Sequence, residues 1–146
     1  MMLEGISNDG AMPVLEAMVR FAGARQRLIA HNVANIDTPE FQPLDVSPRE
    51  FQKALAAAVE RRRSGGRVGD LQIEGGGDAP FEKTPDGQIL LNPKPEPGNL
   101  LFHDRNNRDV ERLMQANAEN VTVFRVASDL LRSRTELMRS AIAERA

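Results

Sequence analysis

A mainly α-helical chain, with paired terminal helices and a loop-rich middle, is the fold class that three features of the sequence predict. Apolar residues recur at alternating steps of three and four near both ends, the spacing of a helical seam. Eight of the 11 glycines and five of the nine prolines fall between residues 64 and 100, which is loop and turn chemistry. Aromatic residues make up only 4% of the 146 residues, six Phe with neither Trp nor Tyr. A core must then come from Leu, Val, Met and Ala carried on helices.

The first helix is expected from Pro13 to about Asn35, with Asn8 or Asp9 as cap and Pro13 in its first turn. Leu15, Met18, Ala22, Arg25, Ile29, Asn32 and Ile36 trace its seam. A stop follows, because Thr38 precedes Pro39 and so avoids the helical region, while Asn35 suits a left-handed helix end. A shorter helix spans Ser47 to Arg63: Ser47 caps it, Pro48 takes its first position and Glu50 completes a capping box. Arg61, Arg62 and Arg63 close it against the negative helix end.

Residues 64–103 read as a mobile middle, with short strands at "LQIE" and at "GQILL", the latter introduced by the turn Asp86-Gly87. The longest pattern comes last. After an Asn107 cap, Val110, Met114, Asn117, Val121, Phe124, Ser128, Leu131, Thr135, Met138 and Ile142 form a seam, flanked by Leu113, Ala127, Leu130, Leu137 and Ala141. A helix of roughly 37 residues extends about 55 Å and needs a partner of similar length. The N-terminal helix is shorter, so part of the seam is expected to stay uncovered and to serve assembly. Asn32 and Asn117, polar at seam positions, are expected to fix register. The organisation is therefore 1–46, a helix with its stop; 47–63, a short helix; 64–103, the middle; and 104–146, the long helix.

Composition narrows function. The net charge of −2 carries no footprint for nucleic acid or an anionic membrane, and without cysteine there are no disulfides, thiolate metal sites or thiol nucleophiles. The chain lacks an 18-residue apolar run for membrane insertion, and its start lacks the pattern of a cleavable secretory signal. His31 and His103 lie in different zones without carboxylates at metal-ligand spacing, "GGGD" lacks the Lys-Ser/Thr of a phosphate loop, and "NVT" sits inside the long helix. No enzyme, cofactor or metal is expected.

The stretch "NVANIDTPEF" matches the motif N-x-A-N-x-x-T-P-G-[FY] through Asn32, Ala34, Asn35, Thr38, Pro39 and Phe41. It resembles the end of the first helix in axial proteins of the bacterial flagellum. Within that group the chain resembles the FlgB family of basal-body rod proteins. Its short length, "FQPLDVSPREFQKAL" after the motif, and the closing segment from Asn106 to Ile142 carry the resemblance over residues 11–60 and 104–142. Two departures stand out: Glu40 replaces the motif glycine, and Phe124 takes the place of a family Tyr. Either a type I turn or a strained Glu40 is expected.

The resemblance implies a structural subunit of the proximal rod that stacks helically and transmits torque. It further implies export by the flagellar type III apparatus and a place in the basal body. Implied partners are other copies, other rod proteins, and the export-gate, MS-ring and adaptor proteins of the basal body. The motif residues would be an assembly joint. Met18, Ile29, Val110, Met114, Asn117, Val121, Phe124, Leu131, Met138 and Ile142 would form the interface. A neighbouring rod protein such as FlgC, and a cytoplasmic coiled-coil adaptor or export chaperone, are the alternatives.

Overall fold

The computed structural model describes residues 10–65, 71–75, 79–95 and 109–144. Three helices dominate: α1 (Met12–Ala34), α2 (Pro48–Ser64) and α3 (Val110–Ala143). Pro13 lies in the first turn of α1, whose N-cap Ala11 offers no side-chain bond; the expected caps Asn8 and Asp9 lie outside the described residues. For α2 the Ser47 half of the capping box is present, its hydroxyl accepting the Glu50 amide at 3.3 Å, and Pro48 opens the helix. Asp109 caps α3 by accepting the Arg112 amide at 3.0 Å, whereas Asn107 lies outside the described residues. Uninterrupted by Gly or Pro, α3 runs for 34 residues, about 51 Å.

The terminal helices pack side by side and antiparallel. Gln26 of α1 donates to Asn117 of α3 at 2.7 Å, while Asn120 donates to the Ala22 carbonyl at 2.9 Å and to the Gln26 side-chain oxygen at 2.8 Å. Nearer the α1 C-terminus, Ile29 and Asn32 share a small cavity with Leu113 and Ala116. Nearer its N-terminus, Gly23 leaves room for the Phe124 ring. The close approach suits small residues: Ala22 and Ala127 are both fully buried.

On its other side α1 meets a second core. The Phe21 and Phe51 rings stack with centroids 4.0 Å apart, and Phe81 meets both edge-on at 6.4 and 5.2 Å. Half of the six phenylalanines are thus spent in one cluster. Edge-to-face and offset pairs add to the burial of the rings themselves. Leu71, Ile73 and Ile89 complete the cluster, so this part of the Gly/Pro-rich middle packs against the helices.

Two short antiparallel ribbons organise the middle. Strand β1 (Leu44–Asp45) pairs with β4 (Lys94–Pro95), and β2 (Phe81–Lys83) pairs with β3 (Ile89–Leu91), Phe81 opposite Leu91. The second ribbon is the one that Asp86-Gly87 announced. Thr84 and Gln88 close a three-residue loop through a 2.9 Å backbone bond, and Gly87, at φ 75°, takes the left-handed position that such a loop requires. "LQIE" corrects the expectation of a strand, since it joins no ladder among the described residues. Its alternation survives, with Leu71 and Ile73 buried and Gln72 and Glu74 exposed. Arg61 at the end of α2 reaches Glu74 at 2.5 Å. That hydrogen bond and the guanidinium charge hold the Glu74 carboxyl below the usual carboxylate range. The pair is solvent-exposed and adds little stability, but it engages one of the three closing arginines locally.

Candidate assembly joint and helix faces

The joint begins where α1 ends. Ala34 is the last helical residue, and Asn35 follows at φ −107°, ψ 9°. That corrects the expected left-handed Asn35. The helix end is closed instead by the side chain, whose amide donates to the His31 carbonyl at 2.8 Å. The left-handed residue comes later. The Thr38 amide donates to the Asn35 carbonyl at 2.9 Å, and the Phe41 amide to the Thr38 carbonyl at 3.2 Å. Pro39 and Glu40 are thus the central pair of a turn, with Glu40 at φ 60°. A type II turn demands positive φ at that place, which glycine adopts freely and Glu adopts under strain. Of the two outcomes expected for Glu40, the strained residue is the one observed. Phe41 then folds back, its ring 5.7 Å from the His31 ring.

Asn32 does something other than the register-setting expected of it. It is buried, and its amide clasps the backbone of Leu44, donating to the carbonyl at 2.7 Å and accepting the amide at 3.3 Å. A two-point clasp of this kind stands in for a strand neighbour and holds β1 against the helix. Arg25, seven residues or about two turns earlier on the same side, reinforces it. Its guanidinium binds the Asp45 carboxylate through two bonds of 2.9 and 2.5 Å, with Arg25 only 5% exposed. Arg25, Asn32 and the turn therefore tie residues 35–46 to α1 at both edges of β1. The spacing places Arg25 and Asn32 on a seam with α3; their partners are on β1, because their polar ends reach the Leu44 backbone and the Asp45 carboxylate.

Register between the long helices falls to Gln26, Asn117 and Asn120. Asn117 was anticipated. The sequence singles out Asn120 only within "NVT" and Gln26 not at all; both stand beside the seam residues, where spacing alone does not show that their amides meet. The buried row of α3 is Leu113, Asn120 and Ala127. Leu113 and Ala127 were read as flanking, so the contact face is turned toward them. A helix drifts about 20° per heptad against a strict 3.5 repeat, and on α1 the Ala22 carbonyl accepts from Asn120 while Gly23 faces the Phe124 ring. Of the expected interface residues, Ile29 is buried, Met18 packs toward the phenylalanine cluster, and Asn117, Val121, Leu131 and Met138 are half-buried. Val110, Met114, Phe124 and Ile142 are exposed.

What remains open is apolar. Val123, Val126, Leu130 and Leu137 are exposed at spacings of 3, 4 and 7, and no α3 residue beyond Ala127 is buried among those described. The described residues hold no group of three or more His, Asp or Glu side chains that could hold a metal ion, and no helix long and apolar enough to cross a membrane. A joint at one end of an antiparallel helix pair, with a bare apolar stripe at the other, is the geometry to set beside known proteins.

Over 102 residues the chain is 28% identical to the flagellar basal body rod protein FlgB of Yersinia enterocolitica, covering 66% of this chain and 72% of that protein. The chain is similar to a flagellar rod protein. FlgB of Yersinia ruckeri gives the same identity and the same coverage. No family model matches the chain. Two FlgB relatives thus match the chain across most of their length. The antiparallel terminal helices of the chain agree with the mainly helical, coiled-coil fold class expected of it.

Proposed function

We propose that this chain is a structural subunit of the proximal rod of the bacterial flagellar basal body. In this reading many copies pack through their terminal helices into a tube that carries motor torque. The observation that carries it is the bare stripe of α3: Leu130 is 50% and Leu137 62% exposed on a helix that outruns its partner. A stripe of that kind on a lone chain favours association. The FlgB relatives supply the identity of the assembly.

The residues take structural roles. Asn32, Arg25 and the Thr38–Phe41 turn hold the joint rigid, so that the helix pair meets its neighbours as one body. Gln26, Asn117 and Asn120 fix the helix register on which a repeating contact depends. Other copies, other rod proteins and the export-gate, MS-ring and adaptor proteins of the basal body are the partners of this reading, with delivery by the flagellar export apparatus. No step in it calls for a reaction or a cofactor. Deleting the gene tests it. Cells should lose rods and everything assembled beyond them; a deletion strain that still builds full hooks and filaments would refute the reading.

A further inference from the structure

The Thr38–Phe41 turn is fixed at its two ends and open in its middle. The Thr38 amide is tied to the Asn35 carbonyl at 2.9 Å. Phe41 is tied by its amide to the Thr38 carbonyl at 3.2 Å and by its ring to His31. The peptide between Pro39 and Glu40 has no such hold. Among the described residues neither the Pro39 carbonyl nor the Glu40 amide takes part in a hydrogen bond, and residues 37–40 are all exposed. No described bond or packing contact therefore enforces the direction of this peptide.

The direction it takes is the strained one. The ring of Pro39 fixes φ at about −65°, so φ 60° at Glu40 makes the turn type II. Type I shares the same proline geometry and the same closing bond from Phe41 to Thr38, and differs by reversing the one peptide in the middle. It puts Glu40 at negative φ, where a side chain meets no strain. A side-chain-bearing residue in the left-handed region is disfavoured by a factor of roughly five to thirty. Glycine escapes that factor, so the glycine of the motif favours type II where Glu40 opposes it. Strain of this kind persists where the surroundings over-determine it, and around this peptide they do not.

We propose that the Pro39–Glu40 peptide flips, so that the joint exchanges between a type II and a type I turn, and that Glu40 is the residue that brings the two forms close in energy. The peptide plane turns about the line joining the two Cα atoms. The ψ of Pro39 and the φ of Glu40 change together, while Thr38, Phe41 and their bonds stay in place. The clasp of Asn32 on Leu44 and the Arg25–Asp45 pair lie outside the moving unit, so β1 stays tied to α1. What changes is the polar face of the tip. The Pro39 carbonyl and the Glu40 amide exchange sides, so a donor approaching from one side meets an acceptor in only one of the two forms. A contact that bonds this peptide selects that form, and shifts the exchange by no more than its difference in affinity for the two. The exchange belongs to the chain by itself and holds whether or not the chain builds a rod.

Two substitutions hold the turn in one form each. Glu40→Gly removes the factor against type II, and Glu40→Val holds type I, because a β-branched residue is an outlier at positive φ. NMR of the isotope-labelled full chain tells the forms apart through the nuclear Overhauser effect between the Pro39 α-proton and the residue 40 amide, strong in type II and weak in type I. The effect should be strong in Glu40→Gly, weak in Glu40→Val and intermediate in the unsubstituted chain. The ratio of type II to type I should rise roughly fivefold to thirtyfold from the unsubstituted chain to Glu40→Gly. An unsubstituted chain that matches either variant overturns the proposal, since it then holds a single form. So does a strong effect retained in Glu40→Val, which would mean that the surroundings impose type II. Should Glu40→Val lose helicity, the unsubstituted chain against Glu40→Gly decides: an intermediate effect upholds the exchange, and an equal one overturns it.

Discussion

Replacing Arg25 with Met should cost this protein a large part of its stability. The guanidinium is 6% exposed and the Asp45 carboxylate 18%, and the two share bonds of 2.9 and 2.5 Å. Met keeps the apolar stem of Arg25 but strips the carboxylate of its cation. Asp45 then retains the Val46 amide, at 2.8 Å, as its remaining described donor. Leaving one buried charge of a pair uncompensated costs about 3–5 kcal/mol. Set against a total of roughly 5–15 kcal/mol for a domain, the loss is severe. Urea unfolding followed by circular dichroism at 222 nm measures it, with the slope checked for constancy. The double variant Arg25→Met/Asp45→Leu removes both charges and should recover most of the loss, because well-packed apolar replacements of a buried pair are often neutral. A single-variant loss under about 1 kcal/mol would mean the pair is as hydrated as a surface bridge, and the tying of β1 to α1 by Arg25 would be wrong.

Glu40→Gly should stabilise by about 0.5–1 kcal/mol, since it removes the penalty of φ 60° on a side-chain-bearing residue; a lowered urea midpoint would contradict the strained turn. Asn32→Ala should cost about 1–3 kcal/mol by unclasping Leu44. Hydrogen exchange at the Leu44 amide should accelerate, and unchanged protection there would deny the clasp. Gly75→Ala should destabilise by about 1–3 kcal/mol, because an added Cβ would collide with the Phe81 carbonyl oxygen. A thermal midpoint equal to that of the unsubstituted chain would show that residues 71–75 are not held against β2.

Local signals in the sequence were read well where one residue type has one mechanism. Ser47 with Pro48 and Glu50 opened α2, Asp86-Gly87 turned β2 into β3, and the uninterrupted stripe after Asp109 became a helix of 34 residues. Glu40 was marked as the odd residue of its motif, and its positive φ is the physical reason. Contacts between distant elements were harder to read. Periodicity says that α3 has an apolar side, but two rows stand close together there, and spacing alone does not say that Leu113, Asn120 and Ala127 are the row that turns inward. Asn32 looked like a seam asparagine because spacing cannot reveal that Leu44 passes beside it. The Phe21, Phe51 and Phe81 cluster joins three segments up to 60 residues apart, and no local pattern announces such a meeting. Gly and Pro density points to loops between 64 and 100, but composition averages over Leu71, Ile73, Phe81 and Ile89, which belong to the core shared with α1 and α2.

The most direct test of the central claim is where the protein resides in the cell. Basal bodies purified from cells carrying an epitope-tagged copy can be analysed by quantitative mass spectrometry beside the cytosolic fraction. A rod subunit should co-purify with basal bodies in fixed proportion to their other structural proteins and resist salt extraction. Recovery only from cytosol, bound to a partner and absent from basal bodies, would contradict the rod assignment and point to a coiled-coil adaptor instead.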